Sequence, residues 1–285
     1  MKQILVISGK GGTGKTTIIA SFAALAKNPV VADCDVDAPD LHLVLKPEIK
    51  KTIEFSGSKA AVKDNSKCVD CGKCRHVCRF DALDENFNID YTLCEGCGAC
   101  VFVCPVNALK LEEKTSGQAY ISETKYGPMA HAKLNIGEEA SGKLVAIVKE
   151  NAKKIAGKEN KNLILIDGSP GLGCPVIASL SGVDLALIVT EPTITGIHDL
   201  TRILSVTKHF GVNPVVCINK YDINPENTEK IERFCEKEGI GIAGKIPFDG
   251  VVTEAMVARE PVVGFSNGNV SREITDMWNK INLLI

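Results

Sequence analysis

Eight of the twelve cysteines in this 285-residue chain fall between Cys68 and Cys104, and thiols at that density need a local chemical reason. A disulfide framework suits small secreted domains. This chain is large and its start shows no signal peptide, so metal is the better reading. A second concentration of chemistry lies near the start, where Gly9-Lys10-Gly11-Gly12-Thr13-Gly14-Lys15-Thr16 satisfies the pattern G-x-x-x-x-G-K-[ST]. Gly11, Gly12 and Gly14, with Thr13 among them, let backbone N–H groups face a phosphate without obstruction, and the helix N-terminus expected to follow adds partial positive charge. Lys15 is expected to pair with the β- and γ-phosphates and Thr16 to hold Mg²⁺.

The cysteines repeat. Cys68, Cys71, Cys74 and Cys78 recur 26 residues later as Cys94, Cys97, Cys100 and Cys104, and Asp81-Ala82-Leu83 recurs as Asn107-Ala108-Leu109, so two copies of one unit are present. The doubled C-x2-C-x2-C-x3-C spacing is similar to that of two-cluster bacterial ferredoxins, and the resemblance implies two 4Fe-4S clusters, each taking three thiolates from one run and its fourth from the other. One would use Cys68, Cys71, Cys74 and Cys104, and the other Cys94, Cys97, Cys100 and Cys78. Zinc is the competing occupant of C-x2-C pairs, but a third cysteine at the same spacing in both runs favours iron–sulfur. The second run ends in Cys104-Pro105 as ferredoxins do, whereas the first has Cys78-Arg79, a charge able to separate the two potentials.

Both groups need elements to position them. Residues 3–8 form a short apolar run, the glycine-rich turn follows, and a helical pattern runs from Lys15 to about Lys27: strand, turn, helix. Further short apolar runs around Val30 and Val31, at Leu163–Ile166, Leu185–Val189 and Val215–Ile218, read as strands buried on both faces of a parallel sheet. Helical patterns over roughly Ser141–Ala156, Thr195–Phe210, Glu226–Glu238 and Ser271–Leu284 separate them, which predicts an α/β, doubly wound, mostly parallel sheet. The cysteine block reads as an insertion over 58–113 in a main domain of 1–57 and 114–285. Within 115–137 a hairpin is expected to return the chain to the main domain.

Lys10-Gly11-Gly12-Thr13-Gly14-Lys15-Thr16-Thr17 carries one lysine more than the general pattern, and here the sequence resembles the MinD/ParA family of dimerising P-loop ATPases. The resemblance covers nearly the whole chain, and the variant it matches is the group that carries an inserted ferredoxin domain. It implies that Lys10 reaches across a homodimer to the partner's phosphates, against the plainer reading of a solvated loop lysine. In Asp33-Cys34-Asp35-Val36-Asp37, after the second strand, it implies that Asp35 orients the attacking water and Asp33 supports the Mg²⁺ shell, with Asp37 the alternative to Asp35. In Asp167-Gly168-Ser169-Pro170-Gly171 it implies that Asp167 is an indirect Mg²⁺ ligand and that Gly171 lies in the loop sensing the γ-phosphate. Asn219-Lys220-Tyr221-Asp222 matches both the Asn that faces adenine in MinD-like proteins and the guanine-reading N-K-x-D pattern. The rest of the site favours ATP, since GTP would need Asp222 to bond the base.

Composition excludes several classes. Lys and Arg number 33 against 35 Asp and Glu, which disfavours a nucleic-acid binder. No apolar run approaches the ~20 residues that cross a bilayer, and a cytoplasmic protein without a stable membrane anchor is expected. Ile274, Met277, Trp278 and Ile281 share one face of the last helix, read as core rather than membrane-binding. Lys149–Lys161 reads as a solvated helix face. Cys174 lies at the spacing from Asp167 used by a bridging-cluster cysteine in the related nitrogenase iron protein, but it is read here as a small buried residue. Cys217 and Cys235 read as core, and Cys34 is left open. The leading function is an ATPase dimer that couples nucleotide state to electron transfer through the two clusters, delivering to an unidentified redox partner. Its alternatives are an ATP-dependent iron–sulfur or metal carrier, and a positioning ATPase whose clusters are structural.

Overall fold

The apolar run near the start forms β1 (Lys2–Ser8), whose residues Ile4–Ile7 are wholly buried, and α1 (Lys15–Leu25) and β2 (Val30–Asp33) follow it. In the computed structural model, which describes residues 1–138 and 141–285, the chain continues through α2 (Leu41–Leu45), β3 (Glu48–Phe55), β4 (Ser58–Lys63), α3 (Lys73–Val77), α4 (Ala99–Phe102), β5 (Leu109–Lys114), β6 (Gly117–Thr124) and β7 (Gly127–Leu134). The remainder alternates helix with strand: α5 (Ser141–Lys158), β8 (Leu163–Pro170), α6 (Cys174–Leu180), β9 (Leu185–Thr190), α7 (Ile194–His209), β10 (Asn213–Asn219), α8 (Pro225–Lys237), β11 (Gly241–Ile246), α9 (Val251–Ala258), α10 (Val262–Phe265) and α11 (Asn269–Asn282). Two units result, one of Met1–Ile53, Ala119–Lys133 and Ser141–Ile285, the other of Glu54–Gln118 with Leu134–Ala140.

The main unit is organised by a sheet of strand order β11-β10-β9-β1-β8-β2-β7-β6-β3. Pairing is parallel from β11 through β10, β9, β1, β8 and β2 to β7. Their continuous Val, Ile and Leu runs bury both faces of the sheet, as helix-covered parallel sheets require. Strand register matters most: Asp33 sits beside Asp167 across the β2–β8 pair, so two acids from distant sequence share one sheet end. Ser8 and Asn219 end β1 and β10 on the same, C-terminal side, where ligands of open α/β sheets bind. On the flank, α11 buries Ile274, Met277, Trp278 and Ile281, and the Trp278 ring lies 5.0 Å from that of Phe22.

The hairpin expected in 115–137 is present as β6 and β7, joined at Lys125-Tyr126, and it widens the main sheet beside β2. Two expectations are overturned. Lys149 is not on a solvated face but is 6% exposed, because it occupies the side of α5 that also buries Val145, Val148 and Ala152. Cys174 is exposed rather than buried, since it opens α6 after a glycine loop instead of continuing a strand. Cys34, Cys217 and Cys235 are all buried.

In the second unit β4 and β5 pair antiparallel from Ser58 with Lys114 to Lys63 with Leu109. The segment between them carries the internal repeat into its backbone. Left-handed residues recur 26 positions apart: Asp70 (φ 50°) with Gly96 (62°), Gly72 (74°) with Gly98 (79°), and Asp81 (50°) with Asn107 (51°). Each pair turns the chain at the same point of a cysteine run. Gly72 and Gly98 then start the short helices α3 and α4. Ala61, Cys100 and Leu109 form a small core, with Cys74, Cys94, Cys104 and Ile89 packed against it.

Candidate nucleotide site and cysteine cavities

Gly14 caps α1 at φ 92°, a conformation in which side-chain-bearing residues are strained. The loop it closes is fixed from the sheet, because Asn219 Nδ2 donates to the Thr13 carbonyl at 2.8 Å and Ser8 Oγ donates to the Lys10 carbonyl at 2.6 Å. A Cβ on Gly14 would come within 2.5 Å of Asn219 Nδ2, so loop and strand end interlock. Lys15, the first residue of α1, is 5% exposed and acts electrostatically on both Asp35 and Asp167. Thr16 Oγ1 donates to Asp167 Oδ2 at 2.9 Å, joining the phosphate loop to β8.

The acids are frustrated as they stand. Asp33 and Asp167 are buried side by side, and burial together with each other's proximity pushes Asp33 well above the usual carboxylate range. Burial also raises Asp167, against the pull of Lys15 and of the Thr16 hydroxyl. Asp33 Oδ2 and Asp167 Oδ1 are buried with no hydrogen-bond partner among the described residues. Orphaned oxygens of this kind are donors in want of a cation, and a hard, partly hydrated ion bound by one or two carboxylates and a hydroxyl fits the set. Burial pushes Asp35 up to about 6, opposed first by Lys15. Asp37 is exposed, so of the two only Asp35 combines partial burial with the field of Lys15.

Beyond the phosphate loop a cavity of about 220 Å³ is lined by Gly12, Thr17, Asn219, Pro247, Phe248 and Met256, among others, a mostly apolar wall with a few polar groups, as small-molecule sites have. Asp222 is not among its lining residues; its Oδ1 accepts a hydrogen bond from Phe248 N at 2.7 Å and so shapes the wall. Gly171 stands at φ 92° with its N–H donating to the Ser8 carbonyl at 3.0 Å. The Lys10 ammonium lies 3.0 Å from Glu191 Oε2, and Glu191 Oε1 takes Lys220 at 2.6 Å. Sequence reasoning missed Glu191, although it follows strand β9 as Asp35 and Asp167 attend β2 and β8.

All eight clustered cysteines are free thiols. They divide between two small cavities of about 20 Å³ each. One is lined by Cys68, Cys71, Cys74 and Cys104, with Val69, Phe87 and Leu109. The other is lined by Cys78, Cys94, Cys97 and Cys100, with Ala61, Leu83 and Ile89. Backbone N–H groups reach a sulfur in each: Ala108 to Cys104 Sγ at 3.2 Å and Ala61 to Cys94 Sγ at 3.5 Å. Among the described residues no three His, Cys, Asp or Glu side chains converge closely enough to hold a single metal ion.

The model of the CobQ/CobB/MinD/ParA nucleotide binding domain matches residues 4–262. The chain belongs to that family. It is a nucleotide-binding ATPase of MinD/ParA type, and the α/β P-loop fold with a mostly parallel sheet is the one its sequence predicts. It is 37% identical over 287 residues to the uncharacterized protein MJ0578 of Methanocaldococcus jannaschii, covering 99% of this chain and 97% of the other. An iron-sulfur cluster carrier protein of Pyrococcus abyssi is 26% identical over 153 residues, 48% of this chain and 51% of that protein. In fold it is similar to the septum site-determining protein MinD of Pyrococcus horikoshii complexed with Mg-ADP, at a TM-score of 0.62 and 18% identity over 99% of this chain and 96% of that one. Among the described residues no helix is long and apolar enough to cross a membrane.

Proposed function

We propose that this ATPase couples its nucleotide state to electron transfer through two 4Fe-4S clusters held by the unit of residues 54–118. The observation that carries the proposal is the sorting of the cysteines: each cavity collects three thiols of one run and the fourth of the other, the exchange that two-cluster ferredoxin spacing demands. Zinc is the competing occupant of C-x2-C pairs, and the third cysteine at the same spacing in both runs favours iron–sulfur over it. When bound, the clusters would supply one-electron carriers. The residues around them hold the thiolates in place, donate N–H groups to sulfur and limit access of water.

At the other unit the reading assigns Lys15 to the β- and γ-phosphates, Thr16 and Asp167 to Mg²⁺ with Asp33 behind them, Asp35 to the attacking water and Asn219 to the adenine side. Gly11, Gly12, Thr13, Gly14 and Thr17 line the phosphate path, and Gly171 senses the γ-phosphate. Phosphoryl transfer asks for little besides positioning and charge neutralisation, which is what these groups offer. The Mg-ADP named with the Pyrococcus horikoshii protein supports Mg²⁺ as the ion. Engagement of Asp222 with Phe248 supports ATP over GTP. Lys10, released from Glu191, would reach a second copy's phosphates in a nucleotide-dependent homodimer.

The test is a redox titration of anaerobically prepared protein with ATP and with ADP, in the presence of the native partner. Different midpoint potentials or electron-transfer rates in the two states are expected; equal values in both would defeat the coupling. Similarity to the iron-sulfur cluster carrier of Pyrococcus abyssi favours a second reading, ATP-controlled cluster transfer. In that case a cluster would move intact to an apo-acceptor and leave the protein depleted of iron. Clusters retained in a protein that still cycles ATP without redox coupling would point to the positioning ATPase.

A further inference from the structure

Lys149 projects from the middle of α5 into the protein, and its ammonium donates to three carbonyls: Ala178 at 3.2 Å, Ser179 at 2.5 Å and Ser181 at 2.6 Å. These belong to the last turn of α6 and the residue that ends it, and the Leu180 carbonyl between them accepts instead from Val183 N at 3.3 Å. An ammonium has three donors, so donors and carbonyls match one for one. Among the described residues no carboxylate acts on this buried cation; the groups facing it are the neutral thiol of Cys34, whose ionisation burial suppresses, and the Lys153 ammonium on its own helix. The charge is therefore held by carbonyl dipoles at a helix C-terminus.

A cation buried without a counter-charge is a poor device for stability alone, because an apolar side chain of similar volume fills the same space without the desolvation penalty. What it supplies uniquely is a fixed position for three carbonyls. That position lies next to the acidic segment: Cys34 sits between Asp33 and Asp35, its carbonyl accepts from Ser169 Oγ at 2.7 Å, and its thiol faces both Ser179 and Lys149. Asp167 and Ser169 stand on β8, and the chain runs from β8 through Gly171 into α6. The stretch 171–181, loop and α6 together, is thus held at both ends, by sheet pairing of Ser8 with Pro170 on one side and by Lys149 on the other.

We propose that Lys149 is a positioning residue for ATP hydrolysis: by clamping the C-terminal carbonyls of α6 beside Cys34, it keeps the Asp167–Gly171 segment in register with Asp35. The inference rests on assigning those two segments to hydrolysis, and it is independent of the cysteine cavities. Turnover depends on the register, whereas ground-state nucleotide binding depends on the phosphate loop, so the two separate in a variant.

The experiment compares wild type, Lys149→Met and, as a control for the hydrolysis assignment, Lys15→Ala, in the full-length chain. Lys149→Met is expected to keep a cooperative melt and Mg-ATP affinity within about threefold while kcat falls on the order of 10- to 100-fold. Burial brings the ammonium down to about 8, so wild-type kcat should decline as pH rises through that value, and this limb should be missing from the variant. A folded variant with wild-type kcat, or one that loses Mg-ATP binding in parallel with kcat, overturns the proposal. If Lys149→Met does not fold, the wild-type profile decides: a kcat independent of pH between 7 and 9.5 overturns it. Wild-type turnover that survives Lys15→Ala instead rejects the hydrolysis assignment.

Discussion

Gly96, in the middle of Cys94-Glu95-Gly96-Cys97, offers the sharpest test of the cysteine unit. It stands at φ 62°, where an L-residue is strained by roughly 1–2 kcal/mol. An added Cβ would lie 2.0 Å from the Lys59 carbonyl oxygen and 2.8 Å from its carbon. Ordinary C···O contacts begin near ~3.3 Å, so strand β4 and the cysteine loop would have to part by more than about 1 Å. Overpacking against backbone typically costs ~1–3 kcal/mol, which brings the total for Gly96→Ala to about 2–5 kcal/mol. A unit of this size draws only ~3–5 kcal/mol from its core, so the substitution removes most of its reserve at the loop carrying three thiols of one cavity. Wild-type protein prepared without oxygen should hold about eight iron and eight sulfide per chain, the content of two 4Fe-4S clusters. The variant should hold about four of each and lose the cooperative melt of this unit. Its internal control is Asp70, the matching position of the first run, which already carries a Cβ at φ 50°; Asp70→Ala should keep the full content. Eight iron in Gly96→Ala with an unshifted melt would refute the reasoning, and one zinc without sulfide in the wild type would refute the clusters themselves.

The nucleotide site gives a contrast between binding and turnover: Lys15→Ala should abolish Mg-ATP binding by calorimetry, whereas Asp35→Asn should bind and fail to hydrolyse. Lys10→Ala should weaken ATP-dependent dimerisation measured by light scattering, and undiminished dimers would show that Lys10 serves only the ion pair with Glu191. A pH effect is also expected at His131 on β7, which is hydrogen-bonded to Ser122 Oγ at 2.9 Å and held down to about 4 by burial and by His42. An unfolded His takes its proton near ~6.5, so stability falls as pH drops from there to about 4, by up to about 3 kcal/mol. His131→Phe should flatten that limb in denaturant titrations at pH 4.5 and 7.

Much of this protein was legible before its structure because its signals are local. A phosphate loop needs glycines, a lysine and a hydroxyl within eight consecutive residues, and a strand–turn–helix context that short-range periodicity reveals. The cysteine runs likewise declare themselves by spacing, whereas which thiols line a common cavity is a matter of the fold. Even the core face of the last helix follows from the recurrence of Ile274, Met277, Trp278 and Ile281. Tertiary structure decided what depends on neighbours remote in sequence. Sheet register alone placed Asp33 beside Asp167, and only the packing of β10 against the loop made Asn219 a brace for Thr13. The Glu191 link to Lys10 has no sequence signature, because an ion pair 181 positions apart is visible only when strands β1 and β9 pair. Lys149 is the plainest case: in a run of lysines its charge predicts solvent, and its burial follows from three carbonyls that α6 brings within reach. Periodicity records which face of a helix is apolar, but the partner that satisfies a polar group on that face is supplied by the fold.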